Sequence, residues 1–351
     1  MIPFLFRINK PTPALIKRSL CICVCFTLLS PIFSCAQNIS VIESSTSGTD
    51  SSYYDIIQAG PSEYWVGGKY GILKKITADG RLEVIHYPSL GAHILKMAKL
   101  DENTILLCGD KGVIYRYSRL PDKWYVTQLS GYAGQCFYNM VTVNDSTAFI
   151  CGGKSKISRG ERAVPGGFIL KTSDKGKTWK EVYKDFTSMI WDMYFDAKEK
   201  TLYALSYSPL GTRVLCSVNE GQYWQKLKEH YSVLLHSFNK LSGGYSSGGK
   251  NGSLGKYGVI IDASKKILKF RETGMIWDVA SNGIHTLASA CRGLLLSKSE
   301  FSQKWTLLHT PSNVNLYELA FINSTTAYVI GSNKTILRVD FSGEQSNSNN
   351  H

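Results

Sequence analysis

A pattern of about 42 residues recurs seven times along this 351-residue chain. A glycine or small residue marks each recurrence, at Gly68, Gly109, Gly152, Ser206, Gly248, Ala290 and Gly331. The spacings are 41, 43, 54, 42, 42 and 41, and the outlying 54 contains an insertion after Gly153. The clearest unit runs from Phe137 to Tyr183 in the pieces FYNMVTV, STAFICGG and GFILKTSDKGKTWKEVY. Each piece alternates or is a short apolar run, and Gly, Asn and Asp fill the gaps. That predicts four short strands per unit. Repetition on this scale excludes most folds at once, because every unit must present the same two faces to its neighbours.

A four-stranded unit cannot bury both faces alone, and radial stacking covers them and leaves only short edges. The expected fold is all-β, a seven-bladed β-propeller of four-stranded blades spanning 38–341. Length alone suits two or three domains, but one large β-domain also accommodates it. The seventh unit shows strands near 316–321, 326–331 and 334–340 and then a polar tail, 342–351. Its fourth strand is missing. Asn38–Glu43 has the apolar residues of a strand, and it is expected to complete the last blade and close the ring.

Residues 1–35 read as an export signal. Lys17 and Arg18 precede an apolar run from Leu20 to Leu29, too short for an ordinary membrane span. Ile32-Phe33-Ser34-Cys35 is similar to a bacterial lipobox, which makes Cys35 a lipidation candidate. The competing reading places Ser34 and Ala36 at an ordinary signal-peptidase site that releases Gln37. The expected location is periplasmic or at the outer membrane or cell surface, with the membrane reached only through an anchor at Cys35. The formal charge of +13 includes four basic residues of this segment; without them 36 lysines and arginines face 27 acids, a balance of +9. The cysteines beyond Cys35 are Cys108, Cys136, Cys151, Cys216 and Cys291. An odd, widely spaced set is no disulfide framework. They read as small buried hydrophobes, with one bridge involving Cys136 left open.

Thr172-Ser173-Asp174-Lys175-Gly176-Lys177-Thr178-Trp179 fits the Asp-box pattern S-x-D-x-G-x-T-W. Asp accepts backbone N–H bonds across a tight turn, Gly supplies positive φ, and Trp packs between blades. Ser173, Asp174, Gly176 and Trp179 are therefore read as structural. Weaker versions run from Ser217 to Trp224 and from Ser297 to Trp305, and Trp124 occupies the equivalent point of unit two. With the preceding Gly-Gly and Ile-Leu-Lys-Thr, the chain over residues 50–340 resembles the photosystem II assembly/stability-factor-like propellers of the BNR (Asp-box) group. The resemblance implies a propeller that binds or scaffolds other proteins; photosynthesis itself does not follow from it.

Two sets of residues are candidate sites. The first strands carry Tyr54-Asp55, Leu95-Lys96, Tyr138-Asn139, Trp191-Asp192, His236-Ser237, Trp277-Asp278 and Tyr317-Glu318 in one column. In one reading the acids tie down loops between blades and the aromatics are inter-blade core. In the other, Tyr54, Asp55, Tyr138, Asn139, Trp191, Asp192, Trp277, Asp278, Tyr317 and Glu318 form a channel mouth suited to a cation, a sugar or a peptide side chain. The second set lies in loops between strands two and three: Lys69, Lys111, Lys154, Lys156, Arg159, Arg162, Lys250, Lys256 and Lys334. Lys154, Lys156, Arg159 and Arg162 belong to the insertion 154–167. These are solvated loops or a surface for an anionic partner on one face.

Other motifs carry little. Gly244–Gly248 satisfies G-x-S-x-G, but no helical pattern follows. Gly244–Lys250 spells G-x-x-x-x-G-K, with Asn251 where Ser or Thr is needed. No metal or cofactor motif is present, and no basic stripe with interleaved aromatics points to nucleic acid. The expectation is a non-enzymatic binding or scaffold propeller at the cell envelope. Its expected partner is another envelope protein or an anionic surface, met through the face bearing the loops between strands two and three. The alternative is a sialidase-like glycoside hydrolase or glycan-binding propeller. That alternative needs converging arginines, and Arg213, Arg292 and Arg338 are read as third-strand residues away from the channel.

Overall fold

The computed structural model describes residues 37–45, 51–154, 166–208, 210–241, 244–250, 257–262, 264–302 and 304–341. Cys35, Lys156, Arg159, Arg162 and Lys256 lie outside these residues, as do the segment 1–35 expected to direct export and the tail 342–351. The described residues form antiparallel strands, with two short 3-10 turns at Lys69–Gly71 and Ser130–Tyr132. Among them no helix is long and apolar enough to cross a membrane.

Six sheets have four strands in simple up-and-down order. Their inner strands are Tyr53–Gly60, Ile94–Lys99, Gln135–Thr142, Met189–Asp196, Ile276–Ser281 and Leu316–Phe321. The sheet of unit five departs from the expected seven regular four-stranded blades. There the inner strand is split into Leu234–Leu235 and Asn239–Leu241, both pairing with Gly244–Lys250, so that sheet counts five strands. The G-x-S-x-G and G-x-x-x-x-G-K matches lie on Gly244–Lys250, a strand rather than the turn into a helix that either chemistry needs.

The last sheet is closed as the repeat predicts. Gln37–Glu43 pairs antiparallel with Ile336–Phe341, with Ile39 opposite Val339. Glu43 fastens this strand to unit one: Tyr53 donates its hydroxyl to Oε2 at 2.8 Å, and Lys74 Nζ lies 2.6 Å from Oε1. Apolar side chains fill the seams between units. Leu106, Cys108, Phe137, Ile150 and Phe168 join units two and three, and Tyr53, Val66, Tyr328 and Ile330 join unit one to unit seven.

The small-residue column has a steric cause. A Cβ on Gly68, Gly109, Gly152 or Gly331 would meet the carbonyl oxygen of Ser52, His93, Cys136 or Asn315, each two residues before the column of Tyr54, Leu95, Tyr138 and Tyr317. In unit five this role falls to Gly249, which faces the Leu234 carbonyl, one position after the glycine expected from the spacing.

The Asp-box forms as expected, with one shift. Asp174 Oδ1 accepts the N–H groups of Lys177 at 3.1 Å and Thr178 at 2.9 Å, and Oδ2 accepts the Thr178 hydroxyl at 2.6 Å. Burial raises the Asp174 pKa, but these hydrogen bonds outweigh it and hold the carboxyl at about 2. The hydroxyl that receives the Gly176 N–H, at 2.9 Å, belongs to Thr172; Ser173 is exposed. The weaker box of unit four is built alike, with Ser217 receiving Gly221 N–H and Asn219 receiving Tyr223 N–H. Trp124, Trp179, Trp224 and Trp305 each pack on an inter-unit core. The five cysteines of the described residues are free, and all except Cys291 are buried, so Cys136 makes no bridge. Arg213 and Arg338 are third-strand residues, but Arg292 occupies the turn between strands two and three of unit six, with φ 58°.

Candidate functional site

Every regular inner strand carries a β-bulge at one place. The register shifts between Tyr53 and Asp55, Ile94 and Lys96, Phe137 and Asn139, Ile190 and Asp192, Ile276 and Asp278, and Leu316 and Glu318. The extra residue is Tyr54, Leu95, Tyr138, Trp191, Trp277 or Tyr317. In a regular strand, adjacent side chains point to opposite faces. A bulge bends the strand and re-aims one of them. In this way a bulged residue and the polar residue after it face one central cavity of about 470 Å³, as in Tyr138 and Asn139, Trp191 and Asp192, or Tyr317 and Glu318.

The aromatics form a nearly complete ring. Tyr138 stacks on Trp191 with centroids 4.5 Å apart. Trp191 meets His236 at 5.0 Å, His236 meets Trp277 at 4.9 Å, and Trp277 meets Tyr317 edge-on at 4.9 Å. Tyr317 meets Tyr54 at 5.7 Å, and Leu95 occupies the remaining place. Burial pushes His236 down to about 4, so its ring is neutral at neutral pH, and Nδ1 donates to the Trp277 carbonyl at 3.0 Å.

The acids beneath this ring do structural work between units. Asp55 accepts the Met97 N–H at 2.5 Å, Asp192 the Phe238 N–H at 2.6 Å, and Asp278 the Leu319 N–H at 3.3 Å. Each bond crosses from one unit to the next: Met97 and Leu319 lie on inner strands, and Phe238 lies in the break between the two pieces of the inner strand of unit five, so two of the three acids tie strands rather than the loops expected from sequence. Asn139 donates to Asp192, and Asn239 donates to the Val279 carbonyl at 2.5 Å. Lys96 is the cation of the group, 3.0 Å from Asp55 and 2.7 Å from Glu318.

Four carboxyl groups thus share one ammonium in a low-dielectric setting, and their acidities respond. Burial raises Asp55, Asp278 and Glu318 above the ordinary carboxylate range, against the opposing pull of Lys96. Asp192 is pushed up to about 7, first by burial, with Lys96 and the Phe238 N–H opposing. Lys96 is held well above its usual value: its own burial favours the neutral amine, and Asp55 and Glu318 together outweigh it. Asp55, Asp192 and Asp278 are almost wholly buried, whereas Glu318 keeps about 24% of its side chain exposed.

Both readings of the column therefore describe part of it. Asp55 is a buried tie, while Tyr54, Tyr138, Asn139, Trp191, Asp192, Trp277, Asp278, Tyr317 and Glu318 border open space. Lys96, His236 and Asn239 complete the site beyond the expected residues. Lys96 and His236 stood in the same repeat column, so position was the signal even where residue type differed. The basic turns stand apart. Inner strands begin opposite the ends of second strands, which places the turns at Lys69, Lys111 and Lys334 on the cavity-mouth side of the sheets. Lys154 is exposed and outside the cavity lining, and its carbonyl accepts the Tyr138 hydroxyl at 3.0 Å. Among the described residues, no three His, Cys, Asp or Glu are placed to hold a metal ion.

Solved structures share this arrangement of sheets. YCF48 bound to a D1 peptide aligns with a TM-score of 0.64 at 14% identity, over 88% of this chain and 95% of that one. The fold is that of a β-propeller. YCF48 from Cyanidioschyzon merolae gives 0.63 at 17% identity, over 86% of this chain and 98% of its own. Virginiamycin B lyase from Staphylococcus aureus gives 0.66 at 11% identity, over 88% and 100%. No protein-family model and no curated protein matches the sequence. At these identities the likeness concerns the fold.

Proposed function

We propose that this chain is a non-enzymatic binding propeller, exported to the cell envelope, that receives part of a partner protein at the mouth of its central cavity. The observation that carries this reading is the ring of six aromatic side chains around a cavity of about 470 Å³. A space of that size takes a small ligand or a short peptide segment, and rigid aromatic walls hold it at low entropic cost. The YCF48 neighbour, which binds a D1 peptide, supports peptide recognition by this architecture. The signal-like segment 1–35 and its lipobox-like end at Cys35 support export. The basic turns at Lys69, Lys111 and Lys334 provide a surface for the acidic parts of such a partner.

The absence of catalysis is part of the proposal. Asp55, Asp192 and Asp278 are occupied by backbone N–H groups, and among the described residues no arginine lines the cavity. A sialidase-like site needs arginines that grip a carboxylate. Capture from native envelope extracts, with the wild-type chain beside a Trp191→Ala/Trp277→Ala variant, tests the reading. Partners held by the wild type and lost by the folded variant support it; identical profiles remove the cavity mouth from the function. The purified chain is expected to turn over neither fluorogenic sialosides nor virginiamycin B, and turnover of either refutes the non-enzymatic reading.

A further inference from the structure

The cavity has walls and a floor of different chemistry. The walls are π-systems, in continuous contact from Tyr138 through Trp191, His236, Trp277 and Tyr317 to Tyr54. The floor holds Asp192, Asp278 and Glu318, with Lys96 to one side. Lys96 makes its ion pairs with Asp55 and Glu318 and acts on Asp192 and Asp278 only through space. Counting Asp55, four carboxyl groups face one permanent cation, and His236 adds no charge at neutral pH.

We infer that the cavity recognises an organic cation, an ammonium or guanidinium group, presented to it by its ligand. This deepens the peptide-binding reading and rests on it. Aromatic faces attract cations through their quadrupoles, and the attraction strengthens where water is excluded. An apolar stem would run along the ring of aromatics while its charged end descends toward Glu318, the one carboxylate of the floor that remains partly exposed. A metal ion fits less well, because no cluster of three ligating side chains converges among the described residues. The cation has two sources, a basic side chain of a peptide or a free polyamine, and the experiment separates them.

Fluorescence titration of the full chain reports directly, since Trp191 and Trp277 stand in the ring. The probes are a blocked Gly-Lys-Gly peptide, the same peptide with arginine, the same with norleucine, and spermidine. The lysine or arginine peptide is expected to change the fluorescence saturably, at least tenfold more tightly than the norleucine peptide. Glu318→Gln is expected to erase that difference. Saturation by spermidine with weak peptide binding assigns the site to a free polyamine and keeps the inference. Equal affinity for the lysine and norleucine peptides overturns it while leaving peptide binding intact. Binding of none of the cations by a chain whose circular dichroism shows it folded also overturns it. Glu318→Arg serves as a second variant: reversed charge at a folded mouth must abolish cation binding, and unchanged binding refutes the inference.

Discussion

Gly176 shows how one residue joins two units. It adopts φ +75°, and a Cβ there would come within 2.7 Å of Leu106 Cδ2 in the preceding unit. The Asp-box turn therefore presses its backbone into a neighbouring core, and Gly221 does the same against Phe149. Gly176→Ala is expected to cost about 2 kcal/mol, from left-handed backbone and core crowding together. Gly131→Ala, where the added Cβ meets nothing within 4 Å, is the control and is expected to change little. Chemical denaturation of both variants checks this. The box was readable because Asp, Gly and Trp each have a strong reason to stand where they do. The hydroxyl position was readable too: S-x-D sets it two residues before Asp174, at Thr172, as Ser217 stands two residues before Asn219, and Ser173 is the neighbour that the pattern leaves free to vary.

At the scale of the element, the repeat column was legible and the bulges were not. Aromatic-then-acid in four units, with Tyr138-Asn139 in a fifth, marks a position, but neither residue demands an extra residue in the strand. Unit five departs from the regularity: His236–Phe238 lie between the two pieces of the inner strand, and there the His236 ring bonds the Trp277 carbonyl. The closing strand was legible because the last unit lacked a partner strand and the first apolar stretch after residue 35 had none of its own. Deleting residues 37–45 removes that pairing and the bonds of Glu43, and leaves Ile336–Phe341 as a bare edge. The expected outcome is a large fall in melting temperature together with concentration-dependent association, read by thermal unfolding and size-exclusion chromatography.

For the whole molecule, the buried acids make stability depend on pH. Asp192 holds its proton up to about 7 in the folded chain, whereas an unfolded aspartate releases it near 3.8. Between these values the folded state binds more protons, so this group's contribution to stability falls as pH rises from about 4 to about 7 and is level above. Asp192→Asn is expected to flatten that slope. Its amide oxygen can still accept the Phe238 N–H, and its NH₂ can meet Asn139 Oδ1, which is buried without a hydrogen-bond partner. Melting temperatures across pH 4 to 8 for both chains test this; an unchanged slope would falsify the assignment to Asp192. The pairing of Ile39 with Val339 also bears on synthesis. The strand made first waits through some 300 residues for the strand that completes it. Contacts so distant along the chain close slowly. During translation, the earlier units must therefore hold together as an open arc, and the ring can shut only after residue 341 has emerged.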